Sequence, residues 1–394
     1  MYREVKNKNK YYRKSKNGST KNSNNKKIDV YKFINQQLMI EPQKPYKQIH
    51  DFTDFDLNKN LIKRIRMNQY SIPTEIQDKT IPQILSGKDL IGIAGTGTGK
   101  TAAFLIPVIQ RLIEKPVRNY ALIITPTREL ASQILGEFRK LTNGLNLNAS
   151  SLIGGVEIGR SIRDLRKSNH VLVATPGRLI DMVDRGHVSL NLFNILVLDE
   201  FDRMLDMGFL PDVKRINNQM RSEKQTLLFS ATMNKSQKVI VDSMTHSPVK
   251  AIASSGKQLT HAIEQDVLYV GKDRNKSEVL HNLISEYKHQ KVLLFCETKR
   301  KVIKVNKKLQ QDHFQADMIH GDKTQRSREI ALKKFRKGQI QVLVATNVVS
   351  RGIDISDVSL VINYEVPRDY IDYVHRIGRT GRAGKTGKAI TLID

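Results

Sequence analysis

One cysteine in 394 residues, Cys296, excludes an internal disulfide, and the lack of any Cys/His cluster at ligand spacing excludes the common zinc sites. No apolar run approaches the roughly 18 residues of a membrane span, and the opening "MYREVKNKNKYYRKSKNGST" lacks the apolar centre of a signal peptide. Together these absences predict a soluble protein of a reducing, intracellular compartment, the cytoplasm. Acids are scarce as well. The chain has 39 Asp and Glu against 66 Lys and Arg, and the formal charge of +27 asks for a polyanionic partner, nucleic acid first. Apolar residues make up 39% of the chain, enough to build two ordinary domains once a polar tail is set aside.

That tail is residues 1–46. Its first 27 residues hold ten Lys or Arg against one acid, Glu4, with three tyrosines among Asn and Ser, a composition that predicts disorder. Two readings stay open for it: an arm that holds RNA, its tyrosines stacking on bases, or a solubilising tail. From residue 47 short apolar runs alternate with amphipathic segments. "DLIGIA", "YALIIT", "HVLVAT", "NILVLD" and "QTLLFS" are candidate strands separated by helix-length sequence, the mark of a parallel sheet with crossover helices. The polar stretch "SSGKQLTHA" interrupts the pattern. "QDVLYV", "KVLLFC", "QADMIH", "IQVLVAT", "VSLVIN" and "KAITLI" then begin a second series. The expected organisation is an α/β domain at 47–252, a linker at 253–262 and a second α/β domain at 263–394.

"AGTGTGKT" (residues 94–101) follows the strand "DLIGI" and opens an amphipathic helix. A loop of small residues, Ala94, Gly95, Thr96, Gly97, Thr98 and Gly99, lets backbone N–H groups close round phosphates at a helix N-terminus. Lys100 can reach the outer phosphates and Thr101 can ligate magnesium. A glycine-rich turn that binds nothing is the alternative, but it leaves Gly-Lys-Thr at a helix start without a reason. "LVLDEFDRMLDMGF" (residues 196–209) raises a similar choice, since acids after a strand can be helix caps or catalysts. In a doubly wound sheet both strand ends can face one crevice. There Asp199 would hold magnesium through water and Glu200 would orient or deprotonate the attacking water, as phosphoryl transfer requires. Asp202 keeps the cap reading open.

With these motifs in place, the chain resembles a DEAD-box ATP-dependent RNA helicase from about residue 52 to 392. The resemblance implies two tandem RecA-like domains with ATP and Mg2+ as cofactors and RNA, single-stranded or duplex, as partner; a monomer with no membrane association is expected. "YSIPTEIQ" (residues 70–77) resembles the Q motif, in which Gln77 would read the adenine edge, Tyr70 would stack on its ring, and Phe52, 18 positions upstream, would be the isolated aromatic. "PTREL", "GG" and "TPGR" supply implied RNA contacts at Pro126, Thr127, Arg128, Gly154, Gly155, Thr175, Pro176, Gly177 and Arg178. Such contacts give affinity for phosphate and ribose without reading sequence.

"SAT" (residues 230–232) is implied to couple hydrolysis to strand separation, with Ser230 and Thr232 meeting Asp202. In the second half "LLFCET" resembles motif IV, and "HGDKTQRSRE" carries Gln325 and Arg328 in the Q-x-x-R arrangement on a helix expected to face RNA. "ATNVVSRGIDI" resembles motif V, where Thr346, Arg351 and Gly352 would meet RNA and Asp354 the ATP ribose. "HRIGRTGR" adds His375 to the coupling set and Arg379 and Arg382 as fingers on the γ-phosphate.

The chain departs from the family pattern at Ala94 and Gln69, each where Gly is usual, at Phe201 in the tetrad and at Asn347 in motif V. Phe201 is expected to be a packing variation. Cys296, within motif IV, is expected to be buried apolar filler. The chain stops at Asp394, soon after its last strand, so a covering helix over the second sheet is not expected. The implied activity is RNA-stimulated ATP hydrolysis coupled to local duplex opening. Its rivals are a nucleotide-gated RNA clamp with little unwinding, and a DNA translocase or other P-loop ATPase, which the Q motif and "PTREL" support poorly.

Overall fold

The structure, a computed structural model, describes residues 46–95, 97–167, 169–253, 263–271, 275–288, 290–346, 358–367, 370–381 and 386–394. A 3-10 turn at Phe52–Phe55 leads into α1 (Lys59–Met67) and α2 (Glu75–Leu85). The first sheet then builds through β1 (Leu90–Ile93), α3 (Lys100–Glu114), β2 (Ala121–Ile124), α4 (Arg128–Leu141), β3 (Ala149–Leu152) and α5 (Ile158–Leu165). It continues through β4 (Val171–Ala174), α6 (Pro176–Asp184), β5 (Ile195–Leu198), α7 (Phe201–Asp206), α8 (Leu210–Gln219), β6 (Gln225–Ser230), α9 (Lys235–Asp242) and β7 (Val249–Ile252). The second sheet comprises β8 (Ile263–Tyr269), α10 (Lys276–Glu286), β9 (Val292–Cys296), α11 (Lys299–Gln311), β10 (Ala316–Ile319), α12 (Gln325–Arg336), β11 (Val342–Thr346), β12 (Leu360–Asn363), α13 (Tyr370–Ile377) and β13 (Gly387–Ile393).

Both sheets are parallel, in the orders β3-β4-β2-β5-β6-β1-β7 and β10-β11-β9-β12-β13-β8. Alternation explains why the central strands read as unbroken apolar runs. In β5, Ile195 and Val197 join the core beneath α1 to α4, whereas Leu196 and Leu198 join the core with α6 to α9. A strand buried on both faces has no polar side to show. In the second sheet α10 and α11 pack on one face, α12 and α13 on the other. Among the described residues no helix is long and apolar enough to cross a membrane.

All eleven runs singled out in the sequence are strands; β3 ("ASSL") and β7 ("VKAI") were not anticipated. Both are edge strands of the first sheet, and edges tolerate polar residues because one flank meets no neighbour. The expected extension at 1–46 lies outside the described residues except for Tyr46, whose hydroxyl donates to Asp78 at 2.8 Å. Of the expected linker only Ala253 is described, and its N–H donates to the Ile93 carbonyl at 2.9 Å.

Strand order sorts the chemistry. The adjacent strands β5, β6 and β1 end in the acidic tetrad, in Ser230–Thr232 and in the glycine-rich loop, while the adjacent strands β3, β4 and β2 end in Gly154–Gly155, in "TPGR" and in "PTREL". Parallel strands deliver these ends to a single edge of the sheet.

Candidate functional site

The glycine-rich loop is built around one tight approach. Gly99 caps α3 with φ +92, and a Cβ there would lie 2.5 Å from Gln77 Nε2. Left-handed backbone and crowding therefore both require glycine. Gln77 is fully buried: its Nε2 donates to the Gly99 carbonyl at 3.1 Å and its Oε1 accepts from Thr74 N–H at 3.0 Å. The expected adenine reader thus ties α2 to the loop. Lys100 is buried, its ammonium donating to the carbonyls of Ala94 at 2.7 Å and Gly95 at 3.0 Å, and Thr98 Oγ1 donates to Gly95 at 2.9 Å. Ala94 N–H is held by the Ser230 carbonyl at 3.0 Å, joining the loop to the end of β6. Thr101 and Gly97 line the cleft beside it. Thr96 lies outside the described residues.

Tyr70 also lines this cleft, its hydroxyl donating to Glu137 Oε1 at 2.8 Å. Phe52, by contrast, is buried in the core, its ring edge-on to Tyr70 with centroids 6.4 Å apart. It supports the tyrosine from behind.

The acidic tetrad divides into separately anchored carboxylates. Asp199, at the end of β5, is buried, and Oδ1 accepts from Glu200 N–H at 2.9 Å. Burial pushes its carboxyl up to about 7, with Glu200 and Asp202 adding to the rise and Lys100 opposing it. Glu200 caps α7 in the left-handed region, φ 53, a conformation that costs a non-glycine residue about 1 kcal/mol. Its carboxylate forms an ion pair with the buried guanidinium of Arg203. Asp202 is not free to cap: Oδ2 accepts from the N–H groups of Ala231 at 3.2 Å and Thr232 at 3.0 Å and from Thr232 Oγ1 at 3.0 Å, and its own N–H donates to Ser230 Oγ at 3.3 Å. Phe201 is fully buried in the core that holds Leu196, Leu198 and Leu228, a packing residue.

The second domain closes the site. A cleft of about 770 Å³ is lined by Lys100, Thr101, Asp199 and Glu200 on one side and by Gln325, Lys333 and Arg379 on the other. Arg379 follows α13 and is buried; His375, on α13, is half-buried. Sequence reading placed Gln325 and Arg328 on a helix expected to face RNA, and the structure sets both, buried, on α12. Arg328 Nη2 forms an ion pair with Glu129 Oε1 across the domains at 2.6 Å, both side chains buried, and Gln325 Nε2 donates to Glu329 at 3.1 Å. α12 is turned toward the first domain because its apolar face must cover the second sheet on that side. Arg351, Gly352, Asp354 and Arg382 lie outside the described residues.

At the other half of the first sheet, three motifs converge on one turn. Arg128 packs over Gly154–Gly155, where a Cβ on Gly155, φ +76, would come within 2.0 Å of its Nη1. Arg178 donates to the Val156 carbonyl at 2.9 Å. Burial, with Arg328 and Arg178 nearby and Glu129 opposing them, holds the Arg128 guanidinium below its ordinary value. Pro126, Thr127, Thr175 and Pro176 are buried at helix starts: Thr127 Oγ1 caps α4 by accepting from Leu130 N–H at 3.3 Å, and Pro176 opens α6 after Thr175, leaving Gly177 exposed. Thr346 is buried at the end of β11.

Sequence reading missed Glu129, Arg203 and Arg376. Arg376 accounts for part of the "HRIGR" pattern structurally, donating to Asn363 Oδ1 at 3.2 Å and lying over the Phe295 ring. Only the i, i+3 spacing of Glu200 and Arg203 was a readable signal. Cys296 is buried, and that burial pushes its thiol up.

Comparison with known proteins covers both domains. Residues 74–240 match the DEAD/DEAH box helicase family and residues 275–384 the helicase conserved C-terminal domain. The ATP-dependent RNA helicase CshA of Listeria monocytogenes is 43% identical over 318 residues, 81% of this chain, which spans only 61% of that relative's length. The DEAD-box ATP-dependent RNA helicase 20 of Oryza sativa subsp. japonica is 37% identical over 344 residues, 85% of this chain and 70% of its own. Among solved structures, S. cerevisiae Dbp5 bound to RNA and ADP BeF3 superimposes with a TM-score of 0.80 at 29% identity, over 88% of this chain and 90% of that one. A glycine-rich loop, an acidic tetrad anchored to Ser230–Thr232 and an arginine from a second sheet, matched along both domains by such relatives, place this chain in the DEAD/DEAH box helicase family.

Proposed function

We propose that the protein is an ATP-dependent RNA helicase, hydrolysing ATP when RNA is bound and separating short duplexes or remodelling RNA–protein complexes. The observation that carries this reading is the single cleft facing Lys100, Thr101, Asp199 and Glu200 from one domain and Arg379 from the other. Lys100, now resting on loop carbonyls, would turn its charge to the outer phosphates. Glu200 would orient the attacking water. Arg379, joined by Arg382, would neutralise charge on the transferred phosphoryl group, so hydrolysis would require both domains together. Tyr70 and Gln77 would recognise adenine and Asp354 the ribose.

Magnesium suits the donors present: Asp199 is buried at the cleft wall and Thr101 lines the same cleft, and a carboxylate and a hydroxyl are hard oxygen ligands. Thr101 and Asp199 would hold the ion, partly through water, and the ion would supply charge neutralisation between phosphates.

RNA would run along the edge where Arg128, Gly154–Gly155 and Arg178 converge, with Thr346, Arg351 and Gly352 continuing it on the second domain. Such contacts, made to phosphate and ribose, predict little sequence preference and a steep salt dependence. The domain limits proposed are 1–46, 47–252, 253–262 and 263–394, in a cytoplasmic monomer. The test is ATP hydrolysis without nucleic acid, with single-stranded RNA and with DNA of the same sequence, beside Glu200→Gln. RNA stimulation abolished in Glu200→Gln is expected. No stimulation, or a Glu200→Gln variant as fast as the parent, refutes the proposal; slow turnover with tight, ATP-dependent RNA retention favours a clamp.

A further inference from the structure

Arg203 has no place in the chemistry derived so far, yet it is one of the largest fully buried side chains of the molecule. Burying a guanidinium is costly unless its donors are met. Here one nitrogen meets the Glu200 carboxylate, while Nε and Nη2 are buried without a hydrogen-bond partner. The other two acids of the tetrad are committed elsewhere. Asp202 accepts from Ala231, Thr232 and the N–H of Arg203 itself, and Asp199 accepts from Glu200 N–H while facing Lys100. Among the described residues the ion pair found for this cation is the one with Glu200.

The backbone serves the same contact. Glu200 takes a left-handed conformation at the start of α7, and Arg203 follows three positions on, one turn along the same helix. α7 is anchored on its far side by Phe201 and Met204 in the core, so Arg203 cannot drift without disturbing packing. A carboxylate on a flexible side chain at a cleft wall would otherwise sample several rotamers, each placing its oxygens differently.

We infer that Arg203 is a positioning residue for hydrolysis: it grips one carboxylate oxygen of Glu200, fixing the side chain so that the other oxygen is presented to the attacking water. This rests on the helicase reading proposed above and adds a residue to it. Arg203 touches neither nucleotide nor RNA in this role and acts only through Glu200. Lysine at this position keeps the charge but not the planar fork, so it restores part of the effect.

The test uses the full chain with Arg203→Met, Arg203→Lys and each of these combined with Glu200→Gln, read by RNA-stimulated steady-state kinetics and by single-turnover hydrolysis. Arg203→Met is expected to lower kcat roughly 10- to 100-fold with KM for ATP within about threefold, since misplacement of a reacting group acts on the chemical step. Arg203→Lys is expected to fall between. In the Glu200→Gln background neither substitution should lower the residual rate further, a non-additivity that general loosening of the fold would not produce. Should Arg203→Met fail to fold, Arg203→Lys and the Glu200→Gln/Arg203→Met pair, which leaves no buried charge, decide the matter. Parent-like kcat in the Arg203 variants overturns the assignment, as does an equal loss with or without Glu200. A parent chain that hydrolyses no ATP with RNA removes the helicase reading and this assignment together, whereas an active parent with indifferent Arg203 variants removes only the latter.

Discussion

Replacing Glu129 by Gln distinguishes two roles for Arg328. The two side chains form an ion pair across the domains at 2.6 Å, with side-chain exposures of 7% for Arg328 and 4% for Glu129. Removing one member of such a buried pair costs about 3–5 kcal/mol because the other charge stays buried unmatched. Glu129 also lines the cleft, where water has access, so about 2–3 kcal/mol is the fairer figure for this pair. When the domains part both groups are hydrated, and the loss falls on closure alone. At about 1.4 kcal/mol per factor of ten, closure weakens about 30- to 140-fold.

The RNA concentration giving half-maximal ATPase should rise by that factor in Glu129→Gln and in Arg328→Ala alike. Nucleotide affinity without RNA should stay near that of the parent. Had Arg328 been a phosphate contact, as the sequence suggested, the two variants would diverge: loss of a nearby acid would strengthen RNA binding while loss of the arginine weakened it. A Glu129→Gln variant with RNA half-saturation at or below the parent's value refutes the ion-pair account. Replacing both residues by Met should recover most of the loss, since no lone charge then remains.

Gly99→Ala should lower affinity for a fluorescent ATP analogue at least tenfold in equilibrium titration, because φ +92 and a Cβ 2.5 Å from Gln77 Nε2 both oppose it. Asp199 links stability to pH. Its folded-state value is raised from 3.8 to about 7, so between these limits the folded chain holds a proton that the unfolded chain has lost, and stability falls as pH rises, levelling off above about 7. Urea unfolding without metal should show Asp199→Asn gaining on the parent by about 2–3 kcal/mol between about pH 5 and pH 8, at about 1.4 kcal/mol per unit; a constant difference would contradict the burial of this charge. Phe201→Ala opens a cavity in a sealed core and should cost about 3–5 kcal/mol in urea unfolding, while ATPase per folded molecule stays within about twofold of the parent. An ATPase gained by Phe201→Ala where the parent has none would mean that the tetrad had been misread.

What could be read from the chain followed physical necessity. A strand buried on both faces must be continuously apolar, and a phosphate-holding loop must be small, so β1, β2, β4, β5 and β6 and the loop before α3 stood out, whereas β3 and β7, half-covered edge strands carrying Ser and Lys, did not. The acids were legible because Asp and Glu after a buried run need a reason. Their anchors were less so. The "PTREL" glutamate and the arginine after the tetrad look like solvated helix positions in sequence, since nothing local reveals that a second domain covers Glu129 or that the core closes over Arg203. The same limit applies to Arg328: its spacing marked a helix face, but which partner that face meets is decided by how α12 packs on its sheet. Gln77 shows it from the other side, singled out by its motif and with its amide engaged by Thr74 and Gly99. Local sequence identifies groups that can do chemistry. Whether a charged group is spent on substrate or on holding another group in place is set by burial, and burial in this fold is decided by contacts between segments hundreds of residues apart, such as Glu129 with Arg328.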